Sequence, residues 1–332
     1  MKHRSLSLVL SILLLFNLLS PVAAAELEEP KEEPRDQEML VPTSQGVQHA
    51  TKSEADKYQE LEKLSNGELV KNYLIGDFNS GEILMAYNID EVVGLASVTK
   101  LMTVYLVLDE ISAGRLKWED IVIPDEECAR LTGATYKLES GKPYTVRQLV
   151  TAALVVSGND TTLALAKHIS GSQEAFVARM NEKSRDLGLT HAHFINVHGL
   201  TDYSIGDFNK MTPRELFIMT IQLLRDHPEI IDFTRIPYIS EIERPYLGYN
   251  TNPILGIVQG IDGLKTGYTN AAGYCLVATG TSPGEGIYDD TRLIGIFMGA
   301  EDSGKRFVAT KRLMEDGLNR FRYTRIANPE EP

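Results

Sequence analysis

The stretch from Ser97 to Ile111 limits the possible folds more than any other part of the chain. Its apolar side chains, Leu101, Met102, Val104, Tyr105, Leu106, Val107 and Leu108, fall on almost every face of a helix. A helix that is apolar all round has no face to offer water, so it belongs in the middle of a domain. The 332 residues are 43% hydrophobic, enough for one large domain or two smaller ones with a real core around such a helix. Before it, Tyr73-Leu74-Ile75-Gly76-Asp77, a turn at Asn79-Ser80-Gly81 and Ile83-Leu84-Met85-Ala86-Tyr87 read as a hairpin. Residues 120–225 alternate turn residues with helical periodicity, as in Val146–Val156, Thr161–His168 and Glu174–Leu187. Strands return around Gly263–Thr266, Tyr274–Gly280 and Arg292–Gly299, the last two joined through Ser282-Pro283-Gly284. An amphipathic helix closes the chain from about Ser303 to Phe321, with Phe307, Leu313, Met314 and Leu318 on one side. The two ends thus supply a sheet and the middle supplies helices, which predicts an α/β body with an inserted all-α lobe and no internal repeats.

The N-terminus carries Lys2, His3 and Arg4, an apolar run from Leu6 to Leu19, then Pro21-Val22-Ala23-Ala24-Ala25 before Glu26. A basic start, an apolar stretch short for a membrane span and small residues ahead of an acidic one predict a secretory signal over residues 1–25, cut near Ala25. The mature protein is therefore expected outside the cytoplasm. An uncleaved anchor is the competing reading and the only membrane contact this segment offers. Residues 26–60 are rich in Glu, Lys, Pro and Gln and poor in large apolar residues. Such a segment buries too little surface to offset its ordering entropy, which predicts an acidic flexible spacer ending in a short helix near Lys57–Lys63. Residues 61–325 then make the folded domain and 326–332 a tail.

The net charge of −13 argues against nucleic-acid binding, which needs a basic stripe to displace counterions. Two cysteines, Cys128 and Cys275, occur in a chain whose compartment permits disulfides. Cys275 lies in the apolar run Gly273–Ala278 and reads as a small hydrophobe in a buried strand; a Cys128–Cys275 bridge is the alternative. The histidines show no His-Glu-x-x-His spacing, His191-x-His193 reads as surface loop, and neither a metal nor another cofactor is expected. A Gly-x-Ser-x-Gly elbow is absent, which disfavours a Ser-His-Asp hydrolase.

Three short motifs stand in order: Ser97-Val98-Thr99-Lys100, Ser157-Gly158-Asn159 and Lys265-Thr266-Gly267. Alone each is weak, since about one chance Ser-x-x-Lys match is expected in a chain of this length. Their placement carries more: the first opens the buried helix, the second sits at a helix-to-helix junction and the third lies on a strand. Ser97 and Lys100, three apart at a helix start, share a face within hydrogen-bond reach. A serine hydroxyl is a poor nucleophile until a base takes its proton, and a lysine is that base only when neutral. Lowering a lysine pKa from ~10.4 toward ~7 takes roughly 4–5 kcal/mol of destabilisation of the ammonium. Burial, the positive end of a helix dipole and a second cation, for which Lys265 stands ready, all act in that direction.

With Asn196-Val197-His198-Gly199-Leu200, the run Gly260–Thr269 and Ala272-Gly273-Tyr274, this set resembles the D-alanyl-D-alanine carboxypeptidases, the low-molecular-mass penicillin-binding proteins, over about residues 65–325. The resemblance implies a serine β-lactamase/DD-peptidase-like fold, an antiparallel sheet flanked by helices. It also implies removal of the terminal D-alanine from peptidoglycan stem peptides ending in D-Ala-D-Ala, on the cell-wall side of the membrane, with β-lactams as covalent inhibitors. In that frame Ser97 is the nucleophile, Lys100 its base, and Ser157 the group that passes a proton to the leaving amine. Asn159 binds the substrate amide and orients Lys100. Lys265, Thr266 and Ser157 hold the terminal carboxylate, and Gly267 lets substrate lie along the strand edge. The backbone N–H groups of Ser97 and Tyr268 hold the oxyanion. Arg306 follows Gly299 at the spacing of a carboxylate-anchoring basic residue in the family; an exposed helix arginine is the other reading.

Relatives often continue into a small β-rich domain and an amphipathic membrane helix, whereas this sequence ends at Pro332, so attachment by a C-terminal helix is not expected. A class A β-lactamase, the nearest enzymatic rival, has Asp in the middle of the second motif and a downstream Glu-x-x-Leu-Asn stretch, and neither occurs here. A catalytically silent wall-binding or β-lactam-sensing protein is the rival from another class.

Overall fold

The computed structural model describes residues 35–286 and 288–324. The expected signal, the first part of the expected spacer and the 326–332 tail lie outside the described residues. The chain enters through an antiparallel hairpin, β1 (Arg35–Thr43) and β2 (Gly46–Thr51), and runs directly into α1 (Lys52–Glu62). Thr51 and Glu54 close a capping box at the start of α1. From residue 35 on, the expected spacer is therefore regular structure. The hairpin and helix have no core of their own; they bury Val41, Ala50 and Ala55 in the same apolar cluster as Phe307, Val308 and Met314. Composition underestimates such a segment because its partner surface is supplied by residues some 250 positions later.

After α2 (Asn66–Leu69) come β3 (Asn72–Asp77) and β4 (Ile83–Tyr87), the expected hairpin. A short strand β5 (Val93–Gly94) leads to the 3-10 turn Ala96–Thr99, and α3 (Lys100–Ser112) follows without a break. The lobe then contains β6 (Ile121–Val122), α4 (Glu126–Arg130), β7 (Tyr144–Thr145), α5 (Val146–Val155), α6 (Asn159–Ser170), α7 (Gln173–Asp186), β8 (Lys210–Met211), α8 (Pro213–Asp226) and α9 (Ile230–Thr234). The hairpin β9 (Tyr238–Glu241) and β10 (Tyr246–Tyr249) precedes the long strands β11 (Ile261–Thr269), β12 (Gly273–Ser282) and β13 (Thr291–Ala300), and α10 (Ser303–Arg320) ends the domain.

The central sheet has the order β11-β12-β13-β3-β4, antiparallel throughout, as the resemblance implies. Its two faces feed two cores because side chains alternate along a strand. Leu74, Val277, Ile294 and Ile296 join the large core that contains α3, while Ile75, Leu276, Leu293 and Phe297 pack under Phe307, Leu313, Met314 and Leu318 of α10. Every residue from Leu101 to Leu108 is buried, so the helix that is apolar all round lies where its composition demands. Two consequences matter for chemistry: the residues at the mouth of α3 are desolvated, and β11 is an edge strand.

Candidate active site

Ser97 lies in the 3-10 turn and Lys100 opens α3. In a 3-10 turn side chains at i and i+3 eclipse, which aligns the pair more closely than an α-helix does. Lys100 Nζ is 2.8 Å from Ser97 Oγ, 2.8 Å from Asn159 Oδ1 and 2.8 Å from the carbonyl oxygen of His198. The two last groups only accept hydrogen bonds. A neutral amine has two N–H donors and one lone pair, so with both donors engaged its lone pair is left for the Ser97 hydroxyl. The Asn159 amide is oriented by its own Nδ2, which donates to Thr132 O at 2.8 Å and thereby turns Oδ1 to Lys100. Full burial, first, and the Lys265 cation, second, hold the Lys100 pKa well below the ordinary lysine value, against an opposing pull from Asp160.

The second motif is placed by the junction between α5 and α6. Ser157 is buried and adopts a left-handed φ of 63°, a conformation that a non-glycine residue sustains only where its surroundings over-determine it. Asn159 is the first residue of α6, and its N–H donates to Ala134 O at 2.8 Å. The third motif lies on β11. The outer edge of that strand is covered at its start, where Thr234 Oγ1 donates to Asp262 O at 2.8 Å and Asn252 Nδ2 donates to Gly263 O at 2.9 Å. Further along, a Cβ added at Gly267 would fall 3.0 Å from Ser97 N, Leu95 O and Ala96 Cβ, so the strand passes Ser97 closely enough that any side chain there is crowded. Gly199 also packs against this turn, its added Cβ falling 1.8 Å from Ala96 O.

The three motifs meet in pairs. Lys100 and Asn159 join the first to the second, and Gly267 brings the third against Ser97. Thr251 links the third to the second: it accepts from Thr266 Oγ1 at 2.6 Å and donates its N–H to Val155 O at 3.1 Å. Lys265 is buried, with Nζ donating to Thr266 O at 3.0 Å. Burial and the nearby Arg306 guanidinium lower its pKa to about 7. Tyr268 is half exposed, its ring centroid 4.1 Å from that of Tyr274 and its hydroxyl donating to Asn270. Arg306 is not an exposed helix arginine. It turns inward over Tyr274, reaches Cys275 O at 3.4 Å, and keeps its Nε buried with no partner among the described residues. In the β11–β12 register Cys275 lies opposite Gly267.

Several supporting residues escaped sequence reasoning. Asp160 accepts from the backbone N–H groups of Tyr136 and Leu138, each at 2.9 Å, and so holds the loop that supplies the Thr132 and Ala134 carbonyls to Asn159. Burial raises its pKa. Arg244, between β9 and β10, grips the same loop by donating to Tyr136 O and Lys137 O at 2.8 Å each. Asn209 donates to Thr99 Oγ1 at 3.0 Å and to Asn196 O at 2.9 Å, and Thr103 Oγ1 donates to Val197 O at 2.6 Å. These bonds fix the turn whose His198 carbonyl meets Lys100. The His198 ring is held neutral, its pKa lowered to about 3 by burial and by Lys100. Asp160 follows the second motif directly, a polar residue in the first turn of a helix, which is the one signal that could have marked it.

The two cysteines are buried and free, with burial raising the Cys275 thiol to about 11 and the Cys128 thiol to about 12. His191 and His193 pair with different carboxylates, Glu215 and Asp207. Among the described residues no helix is long and apolar enough to cross a membrane.

The sequence pattern of a family described as D-alanyl-D-alanine carboxypeptidase matches residues 66–302. The chain is 31% identical over 254 residues to the D-alanyl-D-alanine carboxypeptidase DacF of Bacillus subtilis, covering 76% of this chain and 62% of that one. It is 33% identical over 269 residues to DacC of Escherichia coli, covering 78% and 63% respectively. It thus spans a little under two thirds of the length of these relatives. Among solved structures it is similar to penicillin-binding protein D2 of Listeria monocytogenes in its ampicillin-bound form, with TM-score 0.66, 31% identity and coverage of 75% of this chain and 97% of that one. Penicillin-binding protein 5 of Haemophilus influenzae gives TM-score 0.69 and 32% identity, covering 76% and 71%.

Proposed function

Because the chain belongs to the D-alanyl-D-alanine carboxypeptidase family, we propose that it is a serine-type enzyme that removes the terminal D-alanine from peptidoglycan stem peptides through an ester on Ser97. The observation that carries this reading is the set of three contacts at Lys100 Nζ, two to acceptors and one to the Ser97 hydroxyl, which suits a neutral amine acting as a base.

The substrate's final residues lie along the free edge of β11 as an added strand. Its carboxylate meets Lys265, Thr266 and Arg306, and the charge it brings raises the Lys265 pKa again, so that lysine binds as a cation. Ser97 Oγ attacks the carbonyl of the penultimate D-alanine while its proton passes to Lys100. The oxyanion takes hydrogen bonds from the N–H groups of Ser97 and Tyr268, where loss of one donor typically lowers the rate by about 10²–10³-fold. The C–N bond breaks as the leaving nitrogen takes a proton relayed through Ser157, which returns Lys100 to the neutral form. Water then attacks the ester, gives a proton to Lys100, and Ser97 Oγ recovers it. Penicillins enter the same first half and remain as the Ser97 ester. The signal-like N-terminus supports action on the outer side of the membrane.

The test is release of free D-alanine from a pentapeptide ending in D-Ala-D-Ala, with the penicillin adduct located by peptide mapping. Wild type is expected to release D-alanine and to carry the adduct on Ser97, and Ser97→Ala and Lys100→Ala to do neither at a measurable rate. Absence of release by wild type overturns the reading in favour of a silent binder, and penicillin turnover faster than peptide turnover makes it a β-lactamase.

A further inference from the structure

Beside the third motif lies a groove of about 970 Å³. Two neighbours of the third motif line it: Thr251, which accepts from Thr266, and Arg306, which reaches the Cys275 carbonyl. The outer wall is the tip of the β1–β2 hairpin, Pro42–Val47, which lies outside the 66–302 stretch that defines the family match. The tip is seated: a Cβ added at Gly46 would fall 3.3 Å from the Tyr249 ring, so the hairpin lies close against the opposite wall.

The side chain of a leaving D-alanine is only a methyl group, whereas a groove of this size is at the upper end of the ~300–1,000 Å³ that accommodates drug-sized ligands. The lining also has a chemical bias. Thr43, Gln45 and Asn252 line it, together with Arg306 and with Arg235, which is paired with Asp232 at 2.8 Å. Asp262, the carboxylate among the lining residues, is already gripped by Arg292 at 3.0 and 2.8 Å. The buried Nε of Arg306 adds a donor without a partner among the described residues.

We propose that this groove is a subsite for the side chain of the leaving residue, so that the enzyme releases D-residues with long neutral or acidic side chains as well as D-alanine. The inference rests on the carboxypeptidase reading above. The chemistry is the same hydrolysis: the C–N bond to the leaving residue breaks, the ester on Ser97 forms, the hydroxyl proton ends on the leaving amine, and water later cleaves the ester. The leaving residue keeps its carboxylate for Lys265 and Arg306, and only its side chain enters the groove.

The experiment compares kcat/KM of the full chain on one stem peptide ending in D-Ala-D-Ala, D-Ala-D-Gln, D-Ala-D-Glu or D-Ala-D-Lys. Two variants, Ser44→Trp and Val47→Trp, put bulk on exposed positions of the hairpin tip, remote in sequence from Ser97 and from every strand of the central sheet. Wild type is expected to process the D-Gln and D-Glu peptides within about tenfold of the D-Ala peptide, and the D-Lys peptide more slowly. Each tryptophan is expected to lower the D-Gln and D-Glu values by about tenfold or more while D-Ala release and penicillin acylation stay within about twofold. Poorer wild-type processing of both peptides than that, or a ratio to D-Ala that the tryptophans leave unchanged, overturns the subsite while D-alanine release continues. Failure of the carboxypeptidase reading looks different: wild type then releases no D-alanine at all, and the subsite falls with it.

Discussion

Exchanging Asn159 for aspartate keeps the shape of the side chain and adds a charge at the point where burial and Lys265 lower the Lys100 pKa. The amide oxygen is 2.8 Å from Lys100 Nζ. Two unit charges at that separation attract by about 6 kcal/mol at an effective dielectric of about 20. Burying the new carboxylate takes back part of this, and if half survives, about 3 kcal/mol favours the ammonium, enough to lower the neutral fraction about 10²-fold. The assay is the rate of Ser97 acylation by a penicillin across pH. For Asn159→Asp the rate near neutral pH is expected to fall by about 10²-fold, with the rising limb displaced to higher pH and the rate recovering as Lys100 loses its proton. Recovery separates a charge effect from a misplaced side chain, because misplacement lowers the rate equally at every pH. A loss independent of pH, or a wild-type rate at neutral pH, refutes a neutral Lys100 as the base.

Asp160→Asn removes the anion that opposes the lowered Lys100 pKa and leaves one donor facing the Leu138 N–H. The acid limb of acylation should move to lower pH while stability drops by about 1–3 kcal/mol; a limb that moves up contradicts the sign. In Gly267→Ala the methyl meets backbone atoms of Leu95 and Ser97 at 3.0 Å, which pushes β11 away from Ser97. An acylation rate lower by about 10²-fold, with little change in thermal midpoint, is expected, and a wild-type rate would show that the edge strand has slack. Lys265 gives a stability prediction: the unfolded chain keeps this proton up to about pH 10.4, whereas the folded chain releases it near 7. Between those values the unfolded state binds more protons, so this lysine makes stability rise with pH by up to about 1.4 kcal/mol per pH unit. Denaturant unfolding of Lys265→Met from pH 7 to 10 should show a shallower rise than wild type, and parallel curves would mean that the lysine is not desolvated.

Much of the site was legible because its signals are local. Ser97 and Lys100 are three residues apart, so their meeting needs only one turn. The alternation along Tyr274–Gly280 and Arg292–Gly299 marks paired strands for the same reason, and the structure extends each of them by a few residues at most. Arg306 was less legible: as a helix arginine it could point to water, and its inward turn depends on the packing of α10 against β12. The hairpin at 35–51 was missed because its composition is that of a solvated chain, and its few apolar residues are buried on a surface made by α10. Asp160 and Asn209 were missed because a buried polar residue is recognised by its partners, and theirs are loop backbone and side chains 13–110 residues away.

The order of the linear code already held the Ser97–Lys100 pair, the motif serine and asparagine, the strand lysine and the helix that must be buried. It could do so because hydrogen bonding within a turn and alternation along a strand are periodic properties of neighbouring residues. How far the Lys100 pKa is lowered was a matter for the assembled molecule. That lowering needs removal of water and a second lysine brought in from a strand 165 positions later. Desolvation and Coulomb interactions depend on distance through space, which no spacing along the chain records.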